Sequence, residues 1–229
     1  QSAEIARGVD TGGAGDQGIM VGYATSETST LMPLGYELAR NLCREIFKEY
    51  PYDGKVQVTI DGEKPIVVVT SFQNSKSTDL EKLVKNIIKA DEYFINPAGE
   101  WTVGGFEADS GLSGRKIVID NYGPTVPVGG GSFSGKDPTK VDRSAAYMAR
   151  KVAVDILKQR NANEVLVHLA YAIGVAETVM AVAKVDGVEE RIETYDLRPR
   201  KIIETLDLRK PIYEETARSG HFGIGQSWG

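Results

Sequence analysis

The sequence of 229 residues predicts an α+β fold made of two related two-layer α/β sandwich units. Three observations carry that reading. Amphipathic helical stretches alternate with β-branched strand pairs, the helix–strand–strand–helix order recurs about a hundred residues later, and a glycine-rich loop opens each round.

The first loop is GGAGDQG at residues 12–18. Residues 33–49, PLGYELARNLCREIFKE, then place Leu34, Leu38, Leu42 and Ile46 four apart behind Pro33, the pattern of a helix with one apolar face. VQVTI and PIVVVTSF follow as a hairpin split by the turn residues Asp61, Gly62, Glu63 and Lys64. Thr78 with Glu81 reads as a capping box opening a second helix through Leu80, Leu83, Val84, Ile87 and Ile88. The second round starts from GGGSFSGKD at residues 129–137. A helix over 142–159 aligns Ala145, Ala149, Val152, Ala153 and Ile156, EVLVHLAYAIG and TVMAVAKV form a strand pair, and 199–206 forms another helix. A boundary between residues 96 and 105 gives units 1–100 and 101–229.

Composition narrows the function. Hydrophobic residues make up 41% of the chain, enough for a sizeable core, and a net charge of -5 without a basic run argues against nucleic acid. The single Cys43, on a helix where it packs, leaves no partner for an intrachain disulfide and no cysteine-rich metal site. No run approaches the roughly eighteen apolar residues of a membrane span. The start, QSAEIARGVD, has neither a basic nor an apolar leader segment, so the reading is a cytoplasmic protein without membrane contact.

From Gly130 the second loop reads G-x-x-x-x-G-K, the frame of a P-loop. Asp137 stands where that motif needs a Ser or Thr hydroxyl, and no strongly apolar strand runs into Gly130, which counts against a P-loop kinase or GTPase. A phosphate site of another kind remains, since Arg115, Lys116, Lys136, Lys140 and Arg143 gather in or beside glycine-rich stretches of an acidic chain. Plainer readings stand beside it. The glycines 129–131 make a tight turn, Asp142 caps the helix it precedes, Arg115 and Lys116 are solvated charges ahead of a strand, and Asp53-Gly54 is a turn. His168 lies in an apolar strand and reads as structural; His221 stays open between the two.

The motifs GAGDQG (13–18), DGK (53–55), INP (95–97), SGRKIVID (113–120), GGGSFSGKDPTKVDRSAAY (129–147), YAIGVAE (171–177) and GHFG (220–223) resemble S-adenosylmethionine synthetase, also called methionine adenosyltransferase. They occur in that family's order along nearly the whole chain. The resemblance implies two of the family's three repeated sandwich units, the central and C-terminal ones. It also implies synthesis of S-adenosylmethionine from ATP and methionine with release of phosphate and pyrophosphate, Mg2+ and K+ as cofactors, and a homodimer or dimer of dimers with the active site at the subunit interface. Lys136, Arg115 and Lys140 become the catalytic triphosphate contacts, with Lys116 a further one, and Asp142 a magnesium ligand. Asp53 and Lys55 meet the nucleotide, Ser71 lies near its ribose, and Trp101 and Ile173 face the adenine. Asp16 and Asp109 hold polar groups of the substrates, Asp16 the methionine amine, and Lys140 serves the methionine site as well.

The departures are specific. The family's first unit carries a His-Pro-Asp motif, and neither His168 nor His221 is followed by Pro-Asp. The resemblance therefore implies that a first unit, in cis or as a partner chain, is required for full rate. Glu100 replaces an Arg common in the family beside Trp101, and Thr178 replaces a Pro common after VAE. The alternative is a non-catalytic ATP- or polyphosphate-binding subunit that regulates or scaffolds a synthetase.

Overall fold

The computed structural model of the chain describes residues 3–229, so the first two residues of the QSAEIARGVD start lie outside it. In chain order it runs α1 (Ala3–Asp10), β1 (Gly18–Thr25), α2 (Leu34–Glu49), β2 (Gly54–Asp61), β3 (Lys64–Phe72), α3 (Ser77–Ile87) and β4 (Glu92–Ile95). A 3-10 turn at Gly105–Glu107 precedes α4 (Ile117–Asp120), α5 (Val141–Arg160), β5 (Glu164–Tyr171), β6 (Met180–Val185), β7 (Val188–Arg191), α6 (Pro199–Thr205) and α7 (Tyr213–Ser219). Two compact units result among the described residues, Leu34–Leu112 and the pair of segments 3–33 and 113–229.

In the Leu34–Leu112 unit, a three-stranded sheet of order β2-β3-β4 carries α2 and α3. The β2–β3 hairpin is antiparallel, and Gly62 at φ 57° supplies the positive backbone angle its tight turn requires. β4 joins β3 in parallel, with α3 as the crossover that parallel pairing demands. Leu42 and Ile46 of α2 meet Val68 and Phe72 of β3 and Leu80 and Val84 of α3 in one apolar cluster. The expected capping box is not formed. Lys76 occupies the N-cap position without a side-chain cap, which puts Thr78 inside the first turn, and Glu100 Oε1 accepts the Ser77 N–H instead at 2.8 Å.

The other unit is built on a four-stranded antiparallel sheet of order β1-β5-β6-β7. β1 pairs with β5 from Gly18↔Tyr171 to Thr25↔Glu164, so the stretch after the first glycine loop becomes a sheet partner of a strand far along the chain. The helix α5 crosses this sheet with the expected Ala145, Ala149, Val152, Ala153 and Ile156 buried, but it is covered on its other sides as well, where Tyr147, Met148, Arg150 and Val154 are also buried. Its approach to β1 is close: a Cβ on Gly22 would lie 2.0 Å from the Ala149 carbonyl carbon. Arg150, fully buried, donates to the carbonyl oxygens of Tyr23 at 2.6 Å, Leu31 and Thr30 at 2.9 Å, and Gly229 at 3.2 Å, tying three segments to the helix.

SGRKIVID also departs from expectation. The run after Lys116 is the helical turn α4 rather than a strand, with Asp120 N–H donating to Lys116 O and Asn121 Nδ2 to Ile117 O. Val118 and Ile119 are exposed there, and a run of four residues without a strand beside it closes its hydrogen bonds locally.

Candidate functional site

The two glycine-rich loops come together in the second-described unit. The first is anchored by Ala14, whose N–H donates to Val175 O at 2.9 Å and whose O accepts from Gly174 at 2.8 Å. A Cβ on Gly15 would meet Thr139 O at 3.3 Å, and one on Gly131 would meet Asp142 Cγ at 2.7 Å. Glycine is thus required where the second loop folds over the start of α5. Between the loops opens a cavity of about 360 Å³, bordered by Asp16, Gly18, Ser113, the glycines 129–131, Ser132, Lys136 and Asp142. Its walls are backbone amides, small hydroxyls, an ammonium and two carboxylates.

Lys136 Nζ donates to Asp142 Oδ2 across this cavity, with both side chains partly buried. Asp142 sits in the first turn of α5 behind the N-cap residue Lys140, which makes no side-chain cap bond, so its carboxylate engages the lysine rather than capping the helix. Asp16 Oδ1 accepts the Gln17 N–H at 2.8 Å and faces the same space. Asp137 folds the chain between the two lysines: Thr139 N–H donates to its Oδ1 at 2.8 Å, and Lys140 Nζ lies 3.6 Å from its Oδ2. Partial burial raises the Asp137 pKa, but the bonds from Thr139 and the charge of Lys140 outweigh it and hold the carboxyl below its ordinary value. Position 137 therefore serves a turn, and the lack of a hydroxyl there has a structural reason.

Of the remaining residues expected in this part of the chain, Arg115 and Lys116 are exposed just before α4, and Lys116 Nζ reaches Arg115 O at 3.3 Å. Lys140 is half-buried beside Thr139, and Ile173, 46% exposed, pairs with Ala14 where the first loop is anchored.

Within Leu34–Leu112, a second set gathers at the open end of the β2–β3 hairpin. Lys55 is paired with Ser71 in the register. Asp53 Oδ2 accepts the Gly105 N–H at 2.6 Å, and Trp101 O accepts the Asn74 N–H at 2.9 Å. Asp109 N–H donates to Gly105 O, and Asp109 Oδ1 accepts from Gly111 N at 2.9 Å. Gln73 links this set by accepting from Asp53 N at 3.3 Å and donating to Thr102 O at 2.8 Å.

Comparison with known proteins divides the chain differently, near residue 102, whereas the compact units place residues 11–33 with the C-terminal segment. The family model of the S-adenosylmethionine synthetase central domain matches residues 11–101, and that of the C-terminal domain matches residues 103–228. The chain belongs to the S-adenosylmethionine synthetase family. It is 46% identical to an S-adenosylmethionine synthase of Desulforudis audaxviator, over 98% of this chain and 70% of that protein. Similar relatives of that name are found in Kosmotoga olearia, 46% identical over 92% of this chain and 63% of theirs, and in Thermus thermophilus, 44% identical over 94% and 64%. The chain thus spans 63 to 70% of the length of these relatives.

For a synthetase of this family the donor set bears on metal. Among the described residues no group of three His, Cys, Asp or Glu side chains could cage an ion. Mg2+ commonly takes one or two carboxylates and completes its shell with water and substrate phosphates, which Asp142 and Asp16 on one cavity fit. The same observation gives K+ no acidic cage among the described residues.

Several residues escaped the sequence reading. Gln73 and the buried Asn96 organise the hairpin end, Asn96 Oδ1 accepting from Phe72 N at 3.1 Å. Arg143, grouped by sequence with the phosphate cations, is instead buried behind the second loop, beside Tyr147 and His221, whose open status resolves to a buried position: its Nδ1 is 2.7 Å from Tyr147 Oη, and its O accepts from Trp228 Nε1 at 2.7 Å. His168 is half-buried on β5, paired with Val21 and Val182 in the register. The GHFG motif was the one signal that could have pointed to His221.

Proposed function

We propose that this chain provides the triphosphate-binding and substrate-binding units of a methionine adenosyltransferase, which makes S-adenosylmethionine from ATP and methionine in the cytoplasm. The observation that carries the reading is the glycine-walled cavity in which Lys136 and Asp142 meet. Its dimensions, exposed amides and cation suit a polyphosphate. The thioether of methionine is a neutral nucleophile, so the transfer asks for alignment and for charge stabilisation rather than for a base. As sulfur bonds to the 5' carbon of ATP, the carbon–oxygen bond to the triphosphate breaks and the oxygen keeps the electron pair. The triphosphate is then cleaved by water to pyrophosphate and phosphate.

In this reading Lys136, Lys140 and Arg115 neutralise the departing triphosphate, with Lys116 adding charge at its edge. The Lys136–Asp142 pair opens when phosphate arrives, turning the ammonium to the phosphate oxygens and freeing the Asp142 carboxylate, which would hold Mg2+. Mg2+, when bound, supplies further neutralisation of phosphate charge. Asp16 takes the methionine ammonium, with Lys140 and Asp109 serving the same substrate. Asp53, Lys55 and Ser71 serve the nucleotide, and Trp101 and Ile173 offer apolar faces to adenine. K+ is part of the proposal by family likeness alone. Two or four copies assemble with sites between subunits, and the family's first unit, in cis or in trans, completes them.

The test incubates the chain with ATP, methionine, Mg2+ and K+ and reads S-adenosylmethionine by mass spectrometry, alone and with the leading segment of a relative added. Product only when that segment is present supports the proposal. Full turnover by this chain alone removes the need for the added unit, and ATP binding without product in both arms favours the regulatory alternative.

A further inference from the structure

Behind the second glycine loop lies a set of polar contacts that the proposed chemistry does not use. Arg143, 4% exposed and stacked on Tyr213 at 4.2 Å, donates from Nη1 to Lys136 O at 2.8 Å, from Nη2 to Thr216 Oγ1 at 3.2 Å and from Nε to Tyr147 Oη at 3.0 Å. Tyr147 Oη is also 2.7 Å from His221 Nδ1, and His221 Nε2 is 3.4 Å from Ser134 Oγ.

The direction of these bonds follows from donor chemistry. A guanidinium only donates, so the Tyr147 oxygen accepts from it and sends its own proton to His221 Nδ1. The neutral imidazole then carries its proton on Nε2 and donates to Ser134 Oγ. Burial, and then the charge of Arg143, lower the His221 pKa to about 4, which keeps the ring neutral. Tyr147 stacks on Trp228 at 4.1 Å and 5°, so the ring holding the hydroxyl is fixed by the core.

We propose that Arg143, Tyr147 and His221 are positioning residues that pin the glycine loop at the Lys136 carbonyl and the Ser134 hydroxyl, and thereby hold the Lys136 ammonium at the cavity. The role rests on the triphosphate reading of that cavity. Between the two anchors lies only Gly135, at φ 90°, so a slack anchor moves the neighbouring lysine directly.

The test binds inorganic tripolyphosphate to the wild-type chain and to Ser134→Ala, Tyr147→Phe and the double variant by calorimetry, with amide exchange over residues 129–140 read by mass spectrometry. Each single variant is expected to weaken binding about five- to tenfold, as for the loss of one hydrogen bond. The double variant weakens it no further, because both cut one chain of bonds. Loop amides exchange faster in both, while Ser134→Ala keeps the wild-type melting temperature. Unchanged loop exchange overturns the proposal, as do faster exchange with unchanged affinity and additive losses in the double variant. A wild-type chain that does not bind tripolyphosphate overturns the phosphate reading, and this role with it, before any variant is compared.

Discussion

Asp142→Asn changes one charge in the cavity and should move anion affinity in opposite directions with and without magnesium. In the free protein Asp142 holds the Lys136 ammonium, and the two side chains are 13% and 29% exposed. A partly buried pair of this kind contributes on the order of 1 kcal/mol. Asparagine keeps the shape and removes the charge, so Lys136 no longer has to leave a carboxylate to meet phosphate. Tripolyphosphate affinity in EDTA should therefore rise about fivefold. With Mg2+ present the variant lacks an anionic oxygen ligand, and affinity should fall about ten- to a hundredfold. Calorimetry in both buffers, with circular dichroism to confirm the fold, measures the pair of effects. A drop of equal size in both buffers would show that Asp142 acts only by holding the loop. No change in either would refute the placement of phosphate at this cavity.

Two further predictions concern the frame behind the site. Gly22→Ala places a methyl 2.0 Å from the Ala149 carbonyl carbon and 2.1 Å from its oxygen, both backbone atoms of α5, so relief requires the helix to move; chemical denaturation should show a loss of about 2 to 4 kcal/mol. His221 has a folded pKa of about 4 against an ordinary 6.5, so its contribution is present above about pH 6.5 and is lost as pH falls toward 4. The loss amounts to about 3 kcal/mol. Denaturation midpoints at pH 7, 5.5 and 4 should fall less steeply in His221→Asn than in the wild type, and parallel slopes would contradict the buried neutral imidazole.

What could be read from the sequence depended on whether the signal was local. The 3.6-residue period of α2 and α5 and the β-branched hairpin β2–β3 are properties of contiguous stretches, and the elements form where the patterns lie. The strand β1, GIMVGYAT, carries two glycines and gave no strand signal. Its sheet partner β5 begins at Glu164, so its place comes from tertiary pairing. The same pairing sets GAGDQG beside GGGSFSGKD within one compact unit, although the two motifs look like parallel openings of separate repeats. Lys136, Lys140 and Asp142 could be singled out together because one motif carries all three. Gln73 could not, and neither Arg143, grouped there with the phosphate cations, nor Tyr147 showed that it holds the loop from behind, since polar residues in that role have no characteristic spacing. The mistaken capping box has a similar origin: Ser77, Thr78 and Asp79 are all plausible first-turn residues, and the acceptor for the Ser77 amide comes from Glu100, beyond the local window.

Lysine reactivity tests most directly whether triphosphate sits between the two glycine loops. The chain would be labelled with acetic anhydride with and without Mg2+ and tripolyphosphate, and modification at each lysine read by mass spectrometry. Lys136 and Lys140 should be protected by the ligand, while Lys48 and Lys64, both well exposed and paired with surface carboxylates, should react equally in both samples. Undiminished labelling of Lys136 in the presence of saturating tripolyphosphate would contradict the account.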